Sequence, residues 1–358
     1  MQQLTIIMLK ISKRQQQIFD FIQKNGISSN SQIIANLAEK EEKISRYTVI
    51  RELEKLLSEG VIIKKGKGRN IAYALPANAS LLKFIDPEIY FKVSSDERKI
   101  SKDEFNFEIF EEFQENLFSV EEILQLEKKN KTHQKRIAML SPILLKKELE
   151  RLSIDFSWKS SKIEGNTYDL LETEQLIKNQ QQARGHSQKE ATMILNNKDA
   201  LKYILEQKSE FKKLTLAKIE NAHALVVNEL GVQKNIRKRL VGITGTRFRP
   251  LDNEFQIREA LEKVIEIVNN KKIHPLSKAL ATVLLISYIQ PFEDGNKRTA
   301  RILGNAILLA NGYCPLSYRS VDDLEYKKAT LLFYEQNSAY YFKKLFKEQF
   351  EFAVENYF

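Results

Sequence analysis

Two apolar helical stripes separated by a twelve-residue polar loop leave this chain few ways to fold. Upstream, Leu280, Val283, Leu284 and Tyr288 share the buried face of one helix; downstream, Ile302, Leu303, Ala306, Leu309 and Ala310 line another, closed by Gly312. Between them runs Gln290-Pro291-Phe292-Glu293-Asp294-Gly295-Asn296-Lys297-Arg298-Thr299-Ala300-Arg301. Pro291 disfavours helical angles at Gln290, so the first helix should end near Ile289. The loop then feeds a helix N-terminus whose first turn is crowded with Lys297, Arg298 and Arg301. The helix dipole disfavours exposed cations there by roughly 0.3–1 kcal/mol each. A bound anion reverses that sign, because free backbone N–H groups and the dipole both attract phosphate. Arg298 and Arg301, three apart, share a face and can grip a polyphosphate together. Asp294 is placed to hold a divalent cation that bridges phosphates. The plainer alternative on these residues is a solvated basic patch with Asp294 as a structural cap.

Around this loop the chain reads as mostly helical, with patterns at 103–130, 133–160, 168–180, 188–208, 214–229, 255–270, 275–289, 298–311 and 322–357. The exception is Arg239 to Pro250, where Leu240-Val241-Gly242-Ile243 and Gly245-Thr246-Arg247-Phe248 suggest a short hairpin. Pro76 to Pro87 reads as a linker. Among 358 residues the single cysteine, Cys314, leaves no partner for an internal disulfide, and we expect a reducing compartment. The run Leu4 to Leu9 is too short for a signal peptide's core. Since no apolar stretch reaches the roughly 20 residues of a membrane span, we expect a cytoplasmic protein without membrane partners.

The first 75 residues have a different character. They carry 13 Lys/Arg against 7 Asp/Glu, so +6 of the chain's +10 lies in about a fifth of its length. Residues 13–26 form an amphipathic pattern ending at Gly26; Ser29 or Ser31 can cap a second helix with Ile33, Ile34 and Leu37. Ser45 can cap a third with Val49, Leu53, Leu56 and Leu57, ended by Gly60. Val61 to Lys64 and Ile71 to Leu75 then read as strands around the basic turn Lys65 to Asn70. Three helices and a hairpin of this length resemble a winged helix-turn-helix, whose third helix enters the DNA major groove while the wing touches the backbone. Arg46 and Arg51, together with Lys65, Lys67 and Arg69, would make the DNA contacts. A protein-docking wing with a basic surface is the alternative.

The segment Gln290 to Arg301 is similar to the signature of Fic proteins, His-Pro-Phe-x-(Asp/Glu)-Gly-Asn-(Gly/Lys)-Arg-Thr-x-Arg, matching it at Pro291, Phe292, Asp294, Gly295, Asn296, Arg298, Thr299 and Arg301. The resemblance extends over roughly residues 85–358, including Trp158 to Thr167 and Pro315 to Ser320. It implies a mainly α fold in which a Fic-type helical domain with a small β-hairpin flap follows an α/β winged helix-turn-helix. The expected division is 1–78 for the winged helix, 79–150 for a helical linker region and 151–358 for the Fic domain. The implied activity is transfer of AMP from ATP to a Ser, Thr or Tyr hydroxyl of a protein, another or its own copy, with Mg²⁺. By resemblance Asp294 binds the metal. Gly295, Asn296 and Lys297 form the phosphate turn, with the Asn296 side chain on a phosphate oxygen, while Arg298 and Arg301 hold the outer phosphates. Thr244, Gly245 and Thr246 belong to a flap that lays the target's backbone alongside by strand addition. A homodimer stays open.

Two positions depart from the pattern. Gln290 stands where the family keeps the histidine that deprotonates the target hydroxyl, and an amide cannot accept a proton near neutral pH. Its four histidines, His133, His186, His223 and His274, lie far from the loop in sequence. Lys297 stands where glycine is commonest; Doc toxins, which resemble kinases, also carry lysine there. A catalytically silent, ATP-responsive DNA-binding regulator and a Doc-like phosphotransferase are therefore the rival readings. Finally, Ser160-Ser161-Lys162-Ile163-Glu164-Gly165-Asn166 resembles the family's inhibitory motif on a helix at about 153–166, with Ser160 and Glu164 facing one way and Gly165 allowing the helix to stop. By resemblance Glu164 would pair with Arg301 and deny it to the nucleotide.

Overall fold

The computed structural model describes residues 12–40, 44–58, 61–76 and 78–357. The Leu4–Leu9 run and Gly60 lie outside them, as does the side chain of Arg69.

The first helices, α1 (Lys13–Asn25), α2 (Asn30–Lys40) and α3 (Arg46–Ser58), bury Ile18, Ile22, Ile33, Leu37, Val49, Leu53 and Leu56 in a core of their own. Ser12 closes a capping box on α1, and the Ser29 and Ser45 hydroxyls accept from Gln32 and Thr48 at the starts of α2 and α3. Three short strands complete the unit: β1 (Ser28–Ser29), β2 (Ile63–Lys65) and β3 (Ala72–Ala74), antiparallel in the order β1-β3-β2. β1 was not legible from two serines, since only its pairing with Tyr73 and Ala72 makes it a strand.

The larger body has a second core around α12 (Pro275–Ile289) and α13 (Asn296–Ala310). Before them come α4 (Pro87–Tyr90), α5 (Ile109–Glu112), α6 (Val120–Ala138), α7 (Pro142–Lys162), α8 (Leu170–Asn179), α9 (Gln188–Glu206), α10 (Leu216–Val226) and α11 (Glu254–Asn269); α14 (Asp323–Gln336) and α15 (Tyr340–Asn356) follow. Leu280, Val283, Leu285, Ile286 and Ile289 of α12 are fully buried, each contributing about 1.5–3 kcal/mol by leaving water. The helices α12 and α13 approach so closely that a Cβ at Gly304 would stand 2.6 Å from Val283 Cγ2. Together they fix the two ends of the loop between them. No helix among the described residues is long and apolar enough to cross a membrane.

Several expected boundaries are corrected. The pattern at 103–130 is no single helix: α6 starts only at Val120, capped by Ser119 in a capping box with Glu122. The break expected near 131 falls instead at Leu140, where Ser141 caps and Pro142 opens α7. The 322–357 stretch is two helices, parted at Asn337 in the left-handed conformation (φ 49°). The hairpin expected over 239–250 has no strand ladder. Arg249 N–H donates instead to the Asp103 carbonyl at 2.9 Å, forming an isolated bridge with Glu104. The Arg98 guanidinium takes the Gly245 carbonyl, and Thr246 Oγ1 takes the Phe248 N–H. These contacts satisfy the 245–249 arm from outside, leaving no reason for it to pair with 240–244.

Candidate anion site and its carboxylate latch

Gln290 caps α12 in the left-handed region (φ 50°), a conformation costing about 1–2 kcal/mol for a residue with a Cβ. Arg237 holds it there. Its Nε donates to the Gln290 carbonyl at 2.6 Å, its backbone N–H to the Pro291 carbonyl at 3.0 Å, and its other nitrogens to the carbonyls of Arg239 and Leu251. Arg237 thus brackets the loop to both ends of the 239–251 segment. Burial pushes its guanidinium down to about 10.

The Gln290 side chain is fully engaged. Its Nε2 donates to the Ser287 carbonyl (2.6 Å) and, at 3.4 Å, toward the Tyr334 hydroxyl; its Oε1 accepts from Asn296 Nδ2 (2.9 Å). Asn296 is engaged as well. Its second Nδ2 hydrogen goes to the Phe292 carbonyl and its Oδ1 accepts the Phe292 N–H, both at 2.8 Å. The side chain that the resemblance gives to a phosphate oxygen therefore stabilises the loop in this state. What the turn offers an anion is the open N-terminus of α13, which has no side-chain cap. Gly295 is needed there: φ is 80°, and a Cβ would meet Val227 Cγ1 at 2.7 Å.

A residue missed in the sequence supports the loop from below. The His223 ring stacks on Phe292 with centroids 3.6 Å apart, and its Nε2 lies 3.0 Å from the Asp294 carbonyl. Its Nδ1 faces the Lys234 carbonyl at 3.3 Å. Burial pushes its pKa down to about 4, although both carbonyls favour the proton. The ring is neutral near pH 7. Far in sequence, it is adjacent in space, but it lies under the loop and not among the groups lining the cavity. The only signal was its place on the inward face of α10 beside Ile219, Ala222 and Val226.

A cavity of about 490 Å³ opens above the loop, lined by Gln290, Asp294 and Gly295 to Arg298 on the floor, Val241 to Thr244 on one side, and Tyr326, Lys327 and Thr330 on another. Glu164 projects into it. Its Oε1 accepts from Arg301 Nη1 at 2.9 Å and its Oε2 lies 3.3 Å from Lys297 Nζ, so both oxygens are engaged. Arg301 is fully buried and also donates to the Ser160 hydroxyl (3.1 Å) and carbonyl (2.8 Å), below the Tyr326 ring. Burial alone would raise the Glu164 carboxyl; Arg301, Lys297 and Arg298 outweigh it and hold it below the usual range. Burial likewise works against the Arg301 charge, and Tyr326 and Glu164 overcome that.

Two details differ from expectation. Helix α7 ends at Lys162, so Glu164 sits in the turn beyond it, where its N–H bonds the Ser161 carbonyl and Gly165 follows at φ 95°. Ser160 and Glu164 still meet on Arg301, because the turn curls back. Arg298 and Arg301 do not act together here. Arg298 faces the cavity, donating to the Val226 carbonyl (3.3 Å) and toward Asp294 (3.4 Å), while Arg301 is turned away to the latch. Asp294 keeps more than half of its side chain exposed. Thr244 and Gly245 are exposed and Thr246 half-buried, with only Thr244 lining the cavity. In the first module Arg46, Arg51, Lys65 and Lys67 are exposed, and beside them on α3 stands Tyr47, 77% exposed, which the sequence reading did not single out.

The loop, the uncapped helix N-terminus and the internal Glu164 carboxylate thus lie together in a mostly helical protein. Residues 213–308 match the Fic/DOC family. The chain is 31% identical over 192 residues to a protein adenylyltransferase Fic of Nematostella vectensis, covering 51% of this chain and 43% of that one. With a protein adenylyltransferase Fic of Culex quinquefasciatus it shares 28% identity over 207 residues, covering 55% of this chain and 41% of that one. The chain thus spans less than half the length of these relatives. The fold is also that of solved Fic structures. Fic-1 of C. elegans superimposes with a TM-score of 0.57 at 19% identity, covering 66% of this chain and 71% of that one. A Fic domain-containing signaling protein of Bacteroides thetaiotaomicron gives 0.55 at 22%, covering 65% and 94%.

Proposed function

We propose that this chain is a protein adenylyltransferase scaffold that binds ATP, is held shut by Glu164, and is chemically impaired at Gln290. The observation that carries this reading is the Glu164 carboxylate lying between Arg301 and Lys297 over an uncapped helix N-terminus. The latch fills, with an anion of the chain's own, the place that a polyphosphate would take. Once Glu164 withdraws, Arg301 and Lys297 join Arg298 around the phosphates. Asp294, largely open to the cavity, would hold Mg²⁺ there, since that ion ordinarily takes one or two carboxylates together with phosphate oxygens. The metal would neutralise phosphate charge.

Gln290 would stand beside the attacking hydroxyl without being able to take its proton. General-base help is worth about 10²–10⁴-fold, so what remains is slow transfer. A second reading has its own observation. With the Gln290 amide bonded to Ser287, Tyr334 and Asn296, the loop is locked in a way that suits a silent nucleotide sensor.

Residues 1–78 we read as a winged helix-turn-helix that binds DNA through Arg46, Arg51, Lys65, Lys67 and Arg69, ahead of a helical region at 79–150 and the Fic domain at 151–358. The exposed cations of α3 and of the turn after β2 support it. A cytoplasmic site follows from this reading.

Incubating the Glu164→Gly/Gln290→His variant with α- and γ-labelled ATP in parallel tests the reaction type. Protein labelled from the α position is the expected result. Label only from the γ position would mean phosphate transfer, with Lys297 redirecting the nucleotide as in Doc. No label from either would leave the sensor.

A further inference from the structure

The two arms of the 239–250 segment are unequally occupied. The outer arm is taken by the chain's own residues 98–104, through Arg98 to the Gly245 carbonyl, Arg247 Nη2 to the Arg98 carbonyl at 2.9 Å, and Arg249 N–H to the Asp103 carbonyl. Arg98 is in turn fixed by the buried Glu335 carboxylate at 2.9 Å, so this side is closed. The inner arm, 240–244, is different. Among the described residues none of its backbone N–H groups or carbonyls has a hydrogen-bond partner, and Val241 to Thr244 line the cavity. It is an open backbone edge beside the reaction site.

Charge adds to this. From Val232 to Leu251 the chain carries Lys234, Arg237, Lys238, Arg239, Arg247 and Arg249 and no acidic residue. Arg237 is buried as the bracket; the other five are exposed, with Lys234 bonded to Asn228 and Arg247 to the Arg98 carbonyl. Of these only Lys238 is in an ion pair among the described residues, with Glu254 at 3.6 Å. Lys327, which also lines the cavity, is exposed.

From the open edge and this charge we infer that the protein segment acted on is an extended acidic peptide, laid along residues 240–244 with its carboxylates on Lys238, Arg239 and Lys327. The inference rests on reading the cavity as the place where a protein hydroxyl meets the nucleotide. Glu293 and Asp294 also line the cavity, so the acidic side chains must flank the hydroxyl and stay outside. Leu240, 73% exposed at the start of the arm, offers the peptide one apolar contact.

Binding is measured without nucleotide, so that failure here is separable from failure of the transferase reading. The full chain is titrated into a fluorescent peptide with one central threonine flanked by glutamates, and into the same peptide with glutamines. The acidic peptide should bind roughly tenfold tighter, as a few exposed charge pairs allow. Lys238→Glu/Arg239→Glu should erase the difference. Gly242→Pro/Ile243→Pro removes two adjacent N–H groups from the arm and should weaken binding; unchanged affinity overturns the pairing along 240–244. Equal affinity for both peptides overturns the proposal. So does loss of binding in Lys65→Glu/Lys67→Glu, which would put the peptide on the basic turn of the first module.

Discussion

Arg301 and Arg51 are the same side chain in opposite circumstances. Arg301 is fully buried, engaged by Ser160 and Glu164, and covered by an aromatic ring; Arg51 is 69% exposed and no closer than 4.0 Å to Glu52. A charge removed from water needs a built partner, because an unpaired buried ion costs several kcal/mol. A charge left in water needs none and gains little from one. The Arg301 environment is therefore built around a single carboxylate at a fixed place, which the chain itself supplies. The basic face of the first module is committed only to a sign of charge. Specific, switchable binding is expected of one, and salt-sensitive, spread-out binding of the other.

The largest effect should come from the anion site. Native protein should label itself or other proteins with α-labelled ATP little or not at all. Gln290→His leaves the latch and Glu164→Gly leaves the base missing, so each alone should restore little. The double variant should exceed the Glu164→Gly rate by about 10²–10⁴-fold, and more than the single effects combined suggest. Strong labelling by Glu164→Gly alone would mean that another base serves.

Next in size is the effect of pH on stability. The pKa of His223 is lowered from 6.5 to about 4 in the folded protein, so the unfolded chain takes up its proton first as the medium acidifies. The associated stability is complete above pH 6.5 and drains away as pH falls toward 4, by about 3 kcal/mol. His133, lowered to about 4 by burial and by Arg136, adds a loss of the same sign. Thermal melts of His223→Gln should show a flatter slope between pH 6.5 and 4 than native melts; an unchanged slope would place the titration elsewhere. The Glu164 carboxyl acts at lower pH. Being depressed, its share is present above its unfolded value near 4.5 and lost below it.

The smallest effect belongs to the exposed cations. If the first module binds DNA, affinity should fall steeply with salt, and Lys65→Ala/Lys67→Ala should reduce the slope of log K against log salt by about 2. Binding that ignores salt would favour a protein-docking role.

What was legible in the sequence was what is local. The loop from Gln290 to Arg301 could be read because a proline, a glycine and misplaced cations announce a helix start within a dozen residues. Ser29, Ser45 and the apolar stripes of α1 to α3 were legible for the same reason. The break at Ser141-Pro142 carried a cap-and-proline signal that periodicity alone overrode, and Asn337 was the only sign of the break before α15. His223, Arg237 and the Lys297–Glu164 contact join residues 53 to 133 positions apart. No spacing rule reaches that far. The 239–250 hairpin failed for a related reason: its alternation was real, but Arg98 and Asp103 outcompeted the partner strand.

The central claim is that Glu164 stands in for the nucleotide's phosphates, and calorimetry with Mg-ATP tests it most directly. Removing the carboxylate strands a buried Arg301, so Glu164→Gly should be less stable by about 3–5 kcal/mol without ligand. It should bind ATP about 5–150-fold more tightly than native protein, in the range of typical site coupling, and recover stability as ATP saturates. Arg298→Ala in the same background should lose most of that affinity. Equal ATP affinity in native and Glu164→Gly proteins, or no saturable binding by either at millimolar ATP, would contradict the account.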